Sequence, residues 1–280
     1  TFGRREDPPL LLVMGLGAQM IQWDEEFCRQ LADRGFHVIR YDNRDTGLSS
    51  KIEGGPLPDI AAAMAGDFSS ASYTLSDMAA DGMALLTALG IDKAHIVGAS
   101  MGGMIVQQMV IDHPQRIRTM TSIMSTTGNP EVGQATEEAR AALLSPQATS
   151  REEAIERGVK SGRVMSGGGF PFDEDAVRER AARVYDRAFY PMGFARQILA
   201  IRASGDRTEA LRSVRLPVLV IHGAADPLIT LSGGEATAAA IPDAELLVIP
   251  GMGHEQPAGA WPPILDGIVR TAQRELAVAR

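Results

Sequence analysis

Six short apolar runs, at 10–14, 36–41, 94–99, 117–123, 216–221 and 246–249, carry β-branched residues, and most are hydrophobic almost without interruption. Strands that face water on one side alternate polar and apolar residues, whereas strands covered on both faces by helices read as continuous apolar runs. The pattern therefore predicts six strands of a parallel sheet. Between them, 21–33, 75–89, 101–112, 234–240 and 262–279 have helical spacing, which completes the β-α-β alternation of a doubly wound, mostly parallel α/β sheet.

The alternation stops after the fourth run. From 131 to 212 the chain is rich in Ala, Arg and Glu, spaced as helices and without a good strand. A stretch of that length is too long for a loop. The expected organisation is a core of residues 1–128 and 213–280, with 129–212 as a helical cap over one end of the sheet, walling a pocket. Within it Gly167, Gly168 and Gly169 break the helical pattern and are read as a turn between helices in preference to the hinge of a moving lid.

The balance of 27 Lys and Arg against 35 Asp and Glu gives a net charge of −8, which disfavours binding to nucleic acid. The single cysteine, Cys28, allows no internal disulfide and no Cys-based metal site. No apolar run approaches the roughly 18 residues of a bilayer span, and residues 1–7 contain no apolar signal segment. No membrane partner is expected, and a cytoplasmic location is the default. The acidic surface is compatible with a monomer or a homodimer.

The most informative segment is Gly98-Ala99-Ser100-Met101-Gly102, a G-x-S-x-G motif directly after a strand and directly before a helix. Glycines on either side let the chain turn sharply, so that the serine hydroxyl projects at a helix N-terminus with free N–H groups and a positive dipole end. A serine hydroxyl is inert near neutral pH and needs a base and a group that orients the base. The fifth run leads into His222-Gly223-Ala224-Ala225-Asp226-Pro227 and the sixth into Pro250-Gly251-Met252-Gly253-His254, placing Asp226 and His254 at C-terminal ends of strands, where open parallel sheets gather their chemistry. Taken singly, Asp226 is a turn former and His254 a loop residue. Jointly, in the order Ser, Asp, His, they are candidates for a catalytic triad.

Other histidines fit less well. His37 and His95 sit near strand starts, His113 precedes Pro114 at a helix end, and His222 adjoins the acid loop but is equally a strand exit. Gly15-Leu16-Gly17 with Asp42 suggests a dinucleotide fingerprint, which fails because Met20 occupies the third glycine position.

These motifs, over residues 10–127 and 214–280, resemble the α/β-hydrolase fold family. The segments Leu11-Leu12-Val13-Met14-Gly15, the 38–49 stretch around Asp42-Asn43-Arg44 and Ile249-Pro250-Gly251-Met252-Gly253-His254 look like its bacterial serine-esterase branch, which includes aclacinomycin methylesterase. The resemblance implies a cofactor-free serine esterase with no metal, whose oxyanion hole uses the N–H groups of Leu16 and Met101. The chain departs from the family in having Met14 where many members have histidine, and in having at most a remnant of the family's two opening strands before Leu10. The 42–49 stretch is read as structural, its arginine and aspartates bracing the loop beneath the oxyanion turn.

The expected function is hydrolysis of a small-molecule carboxylic ester, small to medium and apolar, methyl esters included, through an acyl-enzyme. Met20, Trp23, Met165, Phe170 and Phe172 are candidates to line the pocket, although each is singly a candidate for the core. A lactonase, a carbon–carbon bond hydrolase and a cofactor-free perhydrolase read almost identically. Ser100 excludes the members of this fold that use an aspartate nucleophile. A small-molecule receptor on the same fold is the alternative of another class, and a pure binder has no need of all three triad residues.

Overall fold

The computed structural model describes residues 1–278. Strands β1 (Pro9–Val13), β2 (His37–Arg40), β3 (Ala94–Ala99), β4 (Ile117–Ile123), β5 (Val218–Gly223) and β6 (Glu245–Ile249) form one sheet in the order β2-β1-β3-β4-β5-β6, with every pair parallel. All six expected runs are strands, with ends displaced by at most two residues. Phe2 forms an isolated antiparallel bridge to Val38, the only strand-like pairing before Pro9 among the described residues.

Successive side chains of a strand point to opposite faces, and here both faces are covered. Leu11, Val13 and Ile96 pack into one apolar cluster, while Leu10, Leu12 and Val97 pack into a second on the other side. That double burial explains the uninterrupted apolar runs. β6, at the sheet edge, is the least buried strand.

The chain joins the strands through α1 (Glu25–Asp33), α2 (Ile60–Met64), α3 (Leu75–Ala88) and α4 (Met101–Asp112), and after β4 through α5 (Glu137–Leu143), α6 (Arg151–Met165), α7 (Glu174–Arg187), α8 (Pro191–Ser204) and α9 (Thr208–Leu211). α10 (Leu231–Ala240) and α11 (Trp261–Val278) complete it. The helix expected over 262–279 is α11, and Ala279 lies outside the described residues. The single helix expected over 21–33 is two pieces: a 3-10 turn at Met20–Gln22, then α1, which starts anew because the Asp24 side chain accepts the Glu26 N–H at 2.7 Å. α2 was not expected; Asp59 caps this five-residue helix.

Strand order reverses between β1 and β3: the chain runs outward from β1 to β2, then returns to build β3 to β6 on the other side. The crevice at that reversal, outside the carboxyl ends of the strands, is where sheets of this type hold their ligands. The turn after β1 and the turn after β3 both open there. No strand lies between β4 and β5, where five helices occupy the chain. Among the described residues no helix is long and apolar enough to cross a membrane.

Candidate active site

Ser100 sits between β3 and α4 with φ 57° and ψ −121°, a backbone conformation that L-residues rarely adopt. The surroundings hold it there. Its N–H donates to the Ile123 carbonyl at 2.9 Å, and its own carbonyl accepts from Gly103 N–H at 2.8 Å and from Ser125 Oγ at 2.9 Å. The flanking glycines are required by contact: a Cβ at Gly98 would collide with the Gly102 carbonyl, and one at Gly102 with the Val13 carbonyl. The tightness of this turn is what thrusts the hydroxyl out.

His254 Nε2 lies 2.9 Å from Ser100 Oγ, and His254 Nδ1 lies 2.8 Å from Asp226 Oδ2. Because the carboxylate accepts only, Nδ1 carries the hydrogen and Nε2 is left to accept the Ser100 hydroxyl proton. Asp226 is fixed from its other oxygen, since Oδ1 accepts the N–H groups of Leu228 and Ile229, each at 2.9 Å. These residues, 126 and 154 positions from Ser100 and its motif, meet because β3, β5 and β6 end at the same edge of the sheet.

His222 lies beneath this acid. It is fully buried, its Nε2–H donates to the Ile229 carbonyl at 2.7 Å, and Nε2 stands 3.6 Å from Asp226 Oδ2. Burial pushes its pKa down, so it packs as a neutral ring and forms no ion pair with Asp226. Sequence position hinted at this support, but the strand-exit dipeptide alone did not distinguish it.

Two backbone donors belong to the turns that meet at Ser100. Gly15 is near enough that a Cβ there would stand 3.1 Å from Ser100 Cβ. Among the described residues the N–H groups of Leu16, next in the chain, and of Met101, at the first position of α4, donate to no protein group. Free N–H groups at a tight turn and at a helix start are the donors that stabilise a developing oxyanion.

The expected pocket residues fall in different places. Met165 is at the site: its carbonyl accepts the His254 backbone N–H at 2.7 Å. Met20 belongs to the turn after β1, its N–H donating to Asp42 Oδ1 at 2.8 Å. Phe170 packs at the start of α11, over Gly259. Phe172 packs on Gly162 of α6 beneath the Arg163 guanidinium, at 5.0 Å from ring centre to Cζ. Trp23 is a correction: at 1% exposure it stacks on Phe27, with centroids 5.8 Å apart, in the core between the sheet and α1, because the break before α1 turns its ring inward.

The 42–49 stretch also divides. Asp42 and Asn43 do brace the turn after β1, Asn43 Nδ2 donating to the Met14 carbonyl at 2.9 Å. Arg44, by contrast, forms a two-pronged pair with Asp81 of α3, at 2.6 and 2.7 Å, and does not reach that turn. The glycine turn at 167–169 is likewise no loose connection. Gly169 N–H donates to the Gly251 carbonyl at 3.1 Å, and a Cβ at Gly253 would collide with the Met165 carbonyl.

A serine at a strained strand-to-helix turn, aligned with an imidazole and a buried carboxylate at one edge of a parallel sheet, defines a hydrolase of the serine type. The alpha/beta hydrolase fold model matches residues 8–257, and the chain belongs to that family. Rhodomycin D methylesterase DnrP of Streptomyces peucetius is 30% identical over 288 residues, 95% of this chain and 91% of that protein. The 3-oxoadipate enol-lactonase 2 of Acinetobacter baylyi is 29% identical over 238 residues, 84% of this chain and 78% of its own length. Among solved structures, a hydrolase from Pseudomonas aeruginosa is similar with a TM-score of 0.68 and 27% identity, covering 97% of this chain and 91% of that one.

Proposed function

We propose that this protein hydrolyses carboxylic esters of small molecules, small to medium apolar esters and methyl esters among them, through Ser100, His254 and Asp226. The observation that carries the reading is the unbroken hydrogen-bond line from Asp226 Oδ2 through His254 to Ser100 Oγ. Ser100 Oγ attacks the ester carbonyl as His254 Nε2 takes its proton. The N–H groups of Leu16 and Met101 receive the developing oxyanion, which is usually the largest electrostatic contribution in acyl transfer. His254 returns the proton to the leaving alcohol, and Asp226 stabilises the imidazolium throughout. Water then repeats the sequence on the acyl-serine. Helices within 129–212 serve as the cap in this reading, which is supported by their backbone contact with the His254 loop.

The methylesterase relative favours an ester as the substrate. A second reading, ring opening of a lactone, is favoured by the enol-lactonase relative and uses the same groups, with the leaving alcohol tethered to the acyl part. Steady-state hydrolysis of p-nitrophenyl esters from acetate to decanoate, for the wild-type chain and Ser100→Ala, tests the proposal. Turnover by the wild type with background rates for the variant supports it, and the chain-length optimum sizes the pocket. Equal inactivity of both overturns it as a general esterase.

A further inference from the structure

The turn that carries Leu16 is not held by the sheet alone. Gln197, on α8, is fully buried, and its Oε1 accepts the N–H of Gly17, the residue after Leu16, at 2.8 Å. Its amide nitrogen donates to the Arg44 carbonyl at 2.9 Å and to Thr46 Oγ1 at 2.8 Å. All three bonds leave α8 for the core, and the side chain's length and its fixed split of donor and acceptor decide where Gly17 can sit. Phe194, one turn earlier on α8, closes on the same glycine: a Cβ on Gly17 would stand 2.8 Å from its Cδ2. Elsewhere the turn is tied by Asn43 on the Met14 carbonyl, Asp42 on the Met20 N–H, the Ala18 N–H on the Gly15 carbonyl, and Gln19, whose side chain bonds Val184, Ala188 and Arg187. Gln197 is the one side chain among the described residues that holds the N–H of its middle residue, Gly17.

We infer that Gln197 is a positioning residue for the oxyanion-hole donor, so that the helical segment between β4 and β5 supplies part of the catalytic geometry and does more than cover the site. The inference rests on the proposed acyl transfer at Ser100. An oxyanion donor acts over a few tenths of an ångström, since its hydrogen bond must fit the oxyanion and not the ground-state carbonyl. With Gly17 released, Leu16 N–H samples other orientations, and transition-state stabilisation is lost while ground-state binding is kept.

The test compares the wild type with Gln197→Met, Gln197→Glu and Arg196→Met, each normalised by titration of reactive Ser100 with a fluorophosphonate. Arg196, the preceding residue on α8, bonds the Ile52 carbonyl at 2.6 Å and faces Asp45 at 3.6 Å, so its loss loosens α8 without touching Gly17. Gln197→Met is expected to lower kcat on p-nitrophenyl acetate by about 10- to 100-fold with KM unchanged, and to slow phosphonylation of Ser100 in parallel. Gln197→Glu keeps an acceptor for Gly17 but loses the amide donor to Arg44 and Thr46, so it recovers only part of the rate, and Arg196→Met lowers thermal stability while keeping kcat per titrated site. If Gln197→Met does not fold, Gln197→Asn, one methylene too short to reach Gly17, replaces it.

Wild-type kcat in the Gln197 variant, or equal losses in the Gln197 and Arg196 variants, overturns the inference while the ester reading stands. Ester turnover absent with Ser100 still phosphonylated overturns the ester reading, and the phosphonylation rates then decide the role of Gln197 by themselves. A wild-type Ser100 that is not phosphonylated overturns both.

Discussion

Arg187, the last residue of α7, donates from Nη2 to Asp42 Oδ2 at 2.8 Å, joining the segment between β4 and β5 to the loop after β2 by a largely buried ion pair. Burial alone would raise the Asp42 pKa, but the Arg187 hydrogen bond and the N–H groups of Met20 and Leu48 outweigh it and hold the carboxyl below its usual range. Nη1 of the same guanidinium reaches Gln19 Oε1 at 2.7 Å. Arg187→Met leaves a buried carboxylate without its cation, and we expect it to cost about 2–4 kcal/mol of unfolding free energy in urea. An unchanged midpoint would show that the two backbone donors suffice.

Asp226→Asn is expected to fold normally, because its side-chain oxygen still accepts from Leu228 and Ile229. Its amide would face His254 Nδ1 with a donor and force the other tautomer, so that Nε2 could no longer take the serine proton. The expected fall in kcat is roughly 10⁴-fold, as for comparable triads. Near-wild-type turnover would remove Asp226 from the mechanism.

At Gly253 the histidine loop touches the Met165 carbonyl and the Gly167 nitrogen so closely that no Cβ fits. Gly253→Ala therefore pushes α6 and His254 apart. We expect a loss of about 1–3 kcal/mol in stability, with a fall in kcat that exceeds any change in KM. Loss of stability with full kcat would show that His254 keeps its place without the Met165 contact.

Burial pushes the His95 imidazole down to about 4 from its ordinary 6.5. The unfolded chain then binds more protons than the folded one below 6.5, so the stability contributed by neutral His95 is complete above that pH. It is lost as pH falls from 6.5 towards 4, and amounts to about 3 kcal/mol across that window. His37 and His222, also pushed down by burial, act in the same direction. Urea midpoints measured from pH 7.5 to 4 should fall steadily, and more gently in His95→Leu.

Cys28 is fully buried on α1, and burial pushes its thiol up to about 11. A thiol in that state is a packing residue. Modification by an aromatic disulfide reagent is expected only at the rate of unfolding, and fast labelling of the native protein would contradict the packing around Phe27 and Leu31.

The six strands were legible because burial on both faces leaves a local trace, an unbroken apolar run. Ser100 was legible because its turn needs glycine at 98 and 102, and Asp226 and His254 because each follows a strand. The fate of Trp23 was not, since an apolar ring suits a pocket and a core equally until the chain's direction before α1 is known. Arg44 was misassigned for a related reason. Its partner Asp81 lies 37 residues away on α3, and charge alone does not choose among the carboxylates within reach.

Gln197 and Gln19 carried no local signal at all. Gln19 donates to the Val184 and Ala188 carbonyls and Gln197 accepts from Gly17, contacts that span 165 to 180 residues. Local sequence by itself determined the alternation of elements and the chemistry at the strand ends, because hydrophobic period and turn chemistry act over a few residues. How the helices between β4 and β5 grip the turn after β1 and the histidine loop was decided only by tertiary structure, because a buried amide finds its partner by packing and not by its place in the chain.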